Sequence, residues 1–304
     1  MKQAILLVSH GTVHDLEDLE AFVTRVRRGR PAPPDAVRDL RRRYEAIGGR
    51  SPLSAINARL AEALATATGE RVAMANRLAT PFVRDVVAEL ASQGVTRVAV
   101  VALAQHSVHI YAADARAAAE GTGVSVRCAP AWGRLPALTE AFAARIAEAL
   151  DAVPRGESVG VIATAHSLPR AVVEAGDPYE RDVRGASADV EALVRARCAG
   201  RPLRWSLAFQ SQGMGTPGEK DIAWLGPDLA TSIQGAAEQG AGCVVFAPIG
   251  FLADHVEVLY DLDVEARGLV EARGMTYRRA RSLNADADLV AILAALAGPL
   301  LADG

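Results

Sequence analysis

Within GCVVFAPIGFLADHVEVLYDLDVEAR (242–267), Glu257, Asp261 and Glu265 fall at i, i+4 and i+8. On an α-helix that spacing lays three carboxylates along one stripe. Like charges so placed disfavour an isolated helix by roughly 0.2–0.5 kcal/mol per pair, so the pattern asks for a reason. One reason is a solvated acidic face; the other is a cation site. The apolar run at 244–246 reads as a buried strand, and His255 and Glu257 follow its exit, where open parallel sheets place their ligands. That context favours a cation. An imidazole facing such a carboxylate could bind a divalent metal and, when neutral, take up a proton near physiological pH.

The elements that must position these groups alternate in type. Residues 3–8 read as a buried strand ending at Ser9-His10-Gly11. Further strands are expected at 71–77, 96–104, 124–129, 158–164 and 203–209, with helices between them. That alternation means βαβ units and parallel sheets. The two halves resemble each other: His10 ends the first strand of one, and His166, in ATAHS, ends the first strand of the other. TRVAVVALAQHS, ending near His106, matches GCVVFAPIGFLADH in the same way. An α/β protein of two similar Rossmann-like domains facing across a cleft follows, with His10, His106, His166 and Glu257 expected to point into one cavity. The boundary is expected in the linker 151–157, giving domains 1–150 and 151–304, with the C-terminal helix free to pack back on the first half. Residues 12–50 read as an Arg/Pro-rich insertion that is either a solvated basic loop or a site for carboxylates or phosphates, both of which guanidinium forks match.

Composition narrows the class. The 304 residues are 50% hydrophobic and 23% charged with net charge −3, so no basic excess points to nucleic acid. Three widely spaced cysteines and no CxxC fit reduced thiols and do not suffice for a four-cysteine iron–sulfur cluster. The apolar stretch 289–302 is too short for the ~20 residues of a bilayer span. A cytoplasmic protein without a transmembrane segment is expected.

Taken together, ATAHSLP (163–169), GDPY (176–179), WLGPD (224–228) and PIGFLADHVEVLYDLDVEA (248–266) resemble the motifs of the ferrochelatase family. RRGR-P-P (27–34) and RYEAIGG-SPL (43–53) are similar to its first-half motifs, most of all in the coproporphyrin ferrochelatases of Gram-positive bacteria and actinobacteria. The resemblance implies two similar domains with a porphyrin cleft between them, and insertion of ferrous iron into coproporphyrin III with release of two protons, in haem biosynthesis. It implies that His166 and Glu257 are catalytic and hold the metal. It makes Asp261 and Glu265 a relay or a second divalent cation site, and puts the porphyrin against His10, Arg27, Arg43, Tyr44, Ser51 and Tyr111. Fe²⁺ is then a substrate, no tightly bound cofactor or iron–sulfur cluster is expected, and partners are the porphyrin, iron and transient partners in haem synthesis.

Two positions depart from the family. His10 stands where many coproporphyrin-type members have a Tyr able to ligate iron, and imidazole is itself an iron ligand. The segment 211–223 is longer than usual ahead of WLGPD. The other readings are a ferrochelatase acting on protoporphyrin IX, a chelatase loading cobalt into a sirohydrochlorin-type ring, and a non-catalytic haem- or tetrapyrrole-binding protein. The two-domain length and RYEAIGG-SPL disfavour the cobalt version.

Overall fold

The computed structural model describes residues 2–212 and 222–302. In chain order the elements are β1 (Lys2–Ser9), α1 (Leu19–Val26), α2 (Pro34–Ala46), α3 (Leu53–Thr68), β2 (Val72–Asn76), α4 (Val83–Ser92), β3 (Val95–Ala102), α5 (Val108–Ala119) and β4 (Ser125–Cys128). They continue with α6 (Pro136–Asp151), β5 (Val159–His166), α7 (Arg170–Glu174), α8 (Tyr179–Arg197), β6 (Leu203–Gln210), α9 (Leu229–Glu238) and β7 (Cys243–Ala247). Last come α10 (Val256–Leu259), a π-helical segment (Asp261–Ala266), α11 (Arg267–Glu271), β8 (Thr276–Arg279) and α12 (Ala287–Leu301).

The strands form two four-stranded sheets ordered β2-β1-β3-β4 and β6-β5-β7-β8, and every pairing is parallel. The repeated order agrees with the internal similarity of the two halves. Parallel strands are covered on both faces and therefore read as continuous apolar runs. In β1 residues 4–8 are fully buried, and β5 and β7 are buried almost throughout. In each sheet the connection after the first strand runs to one side and the next returns to the other. The switch points therefore lie between β1 and β3 and between β5 and β7.

Chain contacts divide the protein into one unit of Met1–Pro31, Ser51–Trp132 and Leu283–Gly304 and another of Ala32–Arg50 and Gly133–Ser282. This corrects the expected boundary at 150/151. The linker after α6 is real, but α6 packs on α8 of the second unit, so the boundary falls ahead of α6. The insertion is likewise shared out, because α2 belongs to the second unit and not to the first. Helix α12 returns to the first unit and covers α3 and β3, as allowed for. Leu289, Leu293, Ala297 and Leu301 form its buried side. Among the described residues no helix is long and apolar enough to cross a membrane.

The segment after β7 also differs from expectation. The single α-helix expected to carry the three acids is replaced by one turn of α-helix, a π-helical turn and a second short helix. The amide of Glu265 reaches back five residues to the Tyr260 carbonyl at 3.0 Å. A wider turn shifts every later side chain around the axis, and π-turns recur at functional sites. The acids stay close enough for Asp261 to feel both Glu257 and Glu265. Residues 213–221, most of the longer segment singled out above, lie outside the described residues.

Candidate metal centre

The second unit places its chemistry at the β5/β7 switch point. His166 is the last residue of β5, and Glu257 opens α10 after the β7 exit loop. That loop passes close over β5. The Gly250 amide donates to the Thr164 carbonyl at 2.9 Å, and a Cβ at Gly250 would sit 2.5 Å from that of Ala165 and 2.6 Å from its Cα. Only glycine allows this approach. It brings His166 Nδ1 to 3.0 Å from Glu257 Oε2, within hydrogen-bond reach. The two side chains are about a third exposed, so the pair is open to solvent on one side. Tyr179 donates its hydroxyl to the His166 carbonyl at 2.9 Å and steadies the end of β5.

Burial pulls the His166 imidazole toward its neutral form, but the facing Glu257 carboxylate outweighs this and holds its pKa above the usual histidine range. Burial pushes the Glu257 carboxyl up, and His166 and His255 together overcome that and hold it well below the usual carboxylate range. Each partner therefore favours the charged form of the other, at the place where a divalent cation would find an imidazole nitrogen and a carboxylate oxygen. A metal that takes this position displaces the imidazole proton. Among the described residues no group of three or more His, Cys, Asp or Glu side chains is arranged to enclose a metal ion.

Behind the pair, Asp261 is only 2% exposed. Arg43 Nη1 donates to its Oδ1 at 2.9 Å, and Ser211 Oγ donates to its Oδ2 at 2.6 Å. Gln210, paired in register with His166, donates from Nε2 to the Glu257 carbonyl at 2.8 Å and to Asp261 Oδ2 at 3.3 Å. Burial, and then the charge of Glu257, push the Asp261 carboxyl up to about 6 against the pull of Ser211 and Arg43. Glu265 is exposed. The expected row is thus one buried acid with an arginine counter-ion and one acid in water.

The remaining expected residues fall as follows. Arg43, expected on a propionate, is held by Asp39 as well as Asp261 and lies over the Tyr260 ring, where Arg42 also donates to the Tyr260 hydroxyl. Tyr44, on the same helix, is 1% exposed. In the first unit, exposed His10 follows β1, with Nδ1 3.3 Å from the hydroxyl of buried Tyr111. His106 is buried, Arg27 follows α1, and Ser51 Oγ accepts from the Leu53 amide at 3.3 Å where α3 begins. Sequence reasoning missed Gln210, Ser211 and the closeness of His255, whose Nε2 is 3.8 Å from Glu257 Oε2. The His-x-Glu spacing after a strand was the available signal for His255.

A parallel α/β protein with an imidazole–carboxylate pair at a switch point presents two groups able to bind a divalent metal. Comparison with known proteins makes this specific. The ferrochelatase family model matches residues 2–299. The chain is 33% identical to the coproporphyrin III ferrochelatase of Bacillus subtilis (96% of each chain). It is 36% identical to that of Mycobacterium avium (93% of this chain, 83% of that protein) and 31% to a ferrochelatase of Herpetosiphon aurantiacus (96% and 97%). SirB from Bacillus subtilis with Fe³⁺ shares the fold with a TM-score of 0.59 at 15% identity, over 99% of this chain and 96% of that one. The chain belongs to the ferrochelatase family. It is a metal chelatase that inserts a metal into a porphyrin in haem biosynthesis.

Proposed function

We propose that the metal is ferrous iron and the porphyrin coproporphyrin III, giving coproheme and two protons. The observation that carries this reading is the His166–Glu257 contact of 3.0 Å at the β5/β7 switch point. Fe²⁺ displaces the imidazole proton and is held by the His166 imidazole and the Glu257 carboxylate while it sheds water. Loss of the metal to the ring leaves a neutral imidazole next to the carboxylate, able to take up a pyrrole proton. The second pyrrole proton leaves to solvent through the acidic side of the centre. Both pyrrole hydrogens are thus replaced by one Fe²⁺, and charge balances.

The substrate assignment draws support from relatives in Bacillus, Anoxybacillus and Mycobacterium named as coproporphyrin III ferrochelatases at 33–36% identity. The Arg-rich stretch 27–50 fits a ring with four propionates better than one with two. In this reading Arg43 holds a propionate of the porphyrin, exchanging a carboxylate of this chain for one of the substrate. Fe²⁺ is substrate, and no resident cofactor is called for. The reaction takes place in the cytoplasm, with transient partners supplying porphyrin and taking up product.

The test is an anaerobic assay offering Fe²⁺ with coproporphyrin III or protoporphyrin IX and following the loss of porphyrin fluorescence. Faster metallation of coproporphyrin is expected. Faster turnover of protoporphyrin overturns the substrate assignment, and metallation of neither ring overturns the enzyme reading in favour of a tetrapyrrole-binding protein.

A further inference from the structure

The acids of residues 254–263 sort into two sets. Glu257 and Asp261 belong to the metal centre. Asp254 and Asp263, at the two ends of the segment, are both held by one guanidinium. Arg279 donates from Nε to Asp263 Oδ1 at 2.8 Å and from Nη2 to Asp263 Oδ2 at 3.1 Å, a bidentate fork. Its Nη1 donates to Asp254 Oδ1 at 3.0 Å. The neighbours of Arg279 reinforce both grips, for Tyr277 donates to Asp263 Oδ1 at 2.6 Å and Ser282 to Asp254 Oδ1 at 2.7 Å. The Arg279 side chain is only 14% exposed.

We propose that Arg279 is a positioning residue for metal insertion, tying the two ends of the segment that carries His255 and Glu257 to the end of β8 and so holding Glu257 against His166. The anchor is stiff because Arg279 is in register with Phe246 of β7 in the sheet. The segment itself is not. It is a four-residue α-helix with no side-chain N-cap bond, followed by a π-turn, and such short pieces do not hold their shape alone. Its geometry must be imposed by tertiary contacts, and Arg279 touches both ends of it at once. Asp254 immediately precedes His255, and Asp263 lies six residues after Glu257, so movement of either end moves the carboxylate. Lysine can replace the charge but not the fork, since an ammonium lacks the planar pair of donors that grips Asp263 while a third reaches Asp254.

The proposal rests on the metal-insertion reading, and the experiment separates the two. Arg279→Lys and Tyr277→Phe are compared with wild type as full chains in anaerobic Fe²⁺ insertion, with kcat and porphyrin KM measured, and their crystal structures are determined. A misplacement of about 1 Å at a reacting group can cost ~100-fold, so Arg279→Lys is expected to lower kcat by about tenfold or more. Porphyrin KM is expected to stay within about twofold, and the His166–Glu257 contact to open beyond hydrogen-bond reach, about 3.5 Å. Tyr277→Phe, which keeps the guanidinium, is expected to lose about two- to threefold in kcat. A folded Arg279→Lys with wild-type kcat and the contact intact overturns the proposal. So does a kcat loss with the contact intact. Should Arg279→Lys fail to fold, Tyr277→Phe decides: wild-type kcat with an undisturbed contact overturns the proposal. Should the wild type insert no metal, the insertion reading fails, and the His166–Glu257 distance in the variants alone decides whether Arg279 positions Glu257.

Discussion

At the scale of single residues, the proposed function turns on the contact between His166 and Glu257. A histidine whose folded pKa is raised stabilises the protein below its unfolded value of 6.5, and that stabilisation is lost as pH rises through the folded value. A carboxyl whose folded pKa is lowered stabilises above its unfolded value of 4.5, and its contribution is lost as pH falls through the folded value. The pair therefore supports the fold most between those limits, while metal entry needs the proton gone and is favoured as pH rises through the raised His166 value. In Glu257→Gln the imidazolium loses its counter-ion. The acidic limb of the pH–rate profile is expected to move to lower pH, on a reduced maximum. Initial rates measured from pH 5 to 9 check this; a limb that stays in place or moves up contradicts the coupling.

At the scale of elements, Gly250 decides whether β5 and the β7 exit loop can approach. A methyl group there meets the Ala165 backbone at 2.6 Å, which cannot yield as a flexible side chain would. Gly250→Ala is expected to cost roughly 1–3 kcal/mol of stability, the range for overpacking. It should also lower metal insertion, because the displaced loop carries Glu257 away from His166. Thermal unfolding and initial rates check both effects, and wild-type values for each would show that the close approach is dispensable. The same elements show what the sequence makes legible. Strand ends, and the His and Glu near them, are read from local runs such as SVGVIATAH and GCVVFA, so the two members of the His166–Glu257 pair can be found without coordinates. The π-turn is not legible, because an i, i+4, i+8 row of acids on an α-helix looks the same in the sequence. β8 is a four-residue strand, TYRR, too short for alternation to register, so Arg279 passes as an ordinary surface cation. The Arg43–Asp261 pair joins residues 218 positions apart, and no spacing rule reaches that far.

At the scale of the whole molecule, two sheets of the same strand order come from two similar halves of the chain, yet each unit is completed by pieces from elsewhere in the sequence. Residues 32–50 complete the second unit and residues 283–304 the first. Composition marks neither transfer, which is why a single cut at a Pro/Gly-containing linker was expected. Arg43 and Asp261 thus belong to one unit despite their separation in sequence, while His10 and Tyr111 belong to the other. In the proposed reading the porphyrin contacts and the His166–Glu257 pair are different side chains, so loss of His166 should leave porphyrin binding intact. The most direct measurement is His166→Ala against wild type under anaerobic conditions, with porphyrin binding followed by fluorescence and metallation by absorbance. The expected result is a variant that binds coproporphyrin as the wild type does and inserts iron at least ~100-fold more slowly, the scale of a lost general base. Metallation by His166→Ala at a rate near that of the wild type would contradict the assignment of the His166–Glu257 pair as the place where iron exchanges for protons.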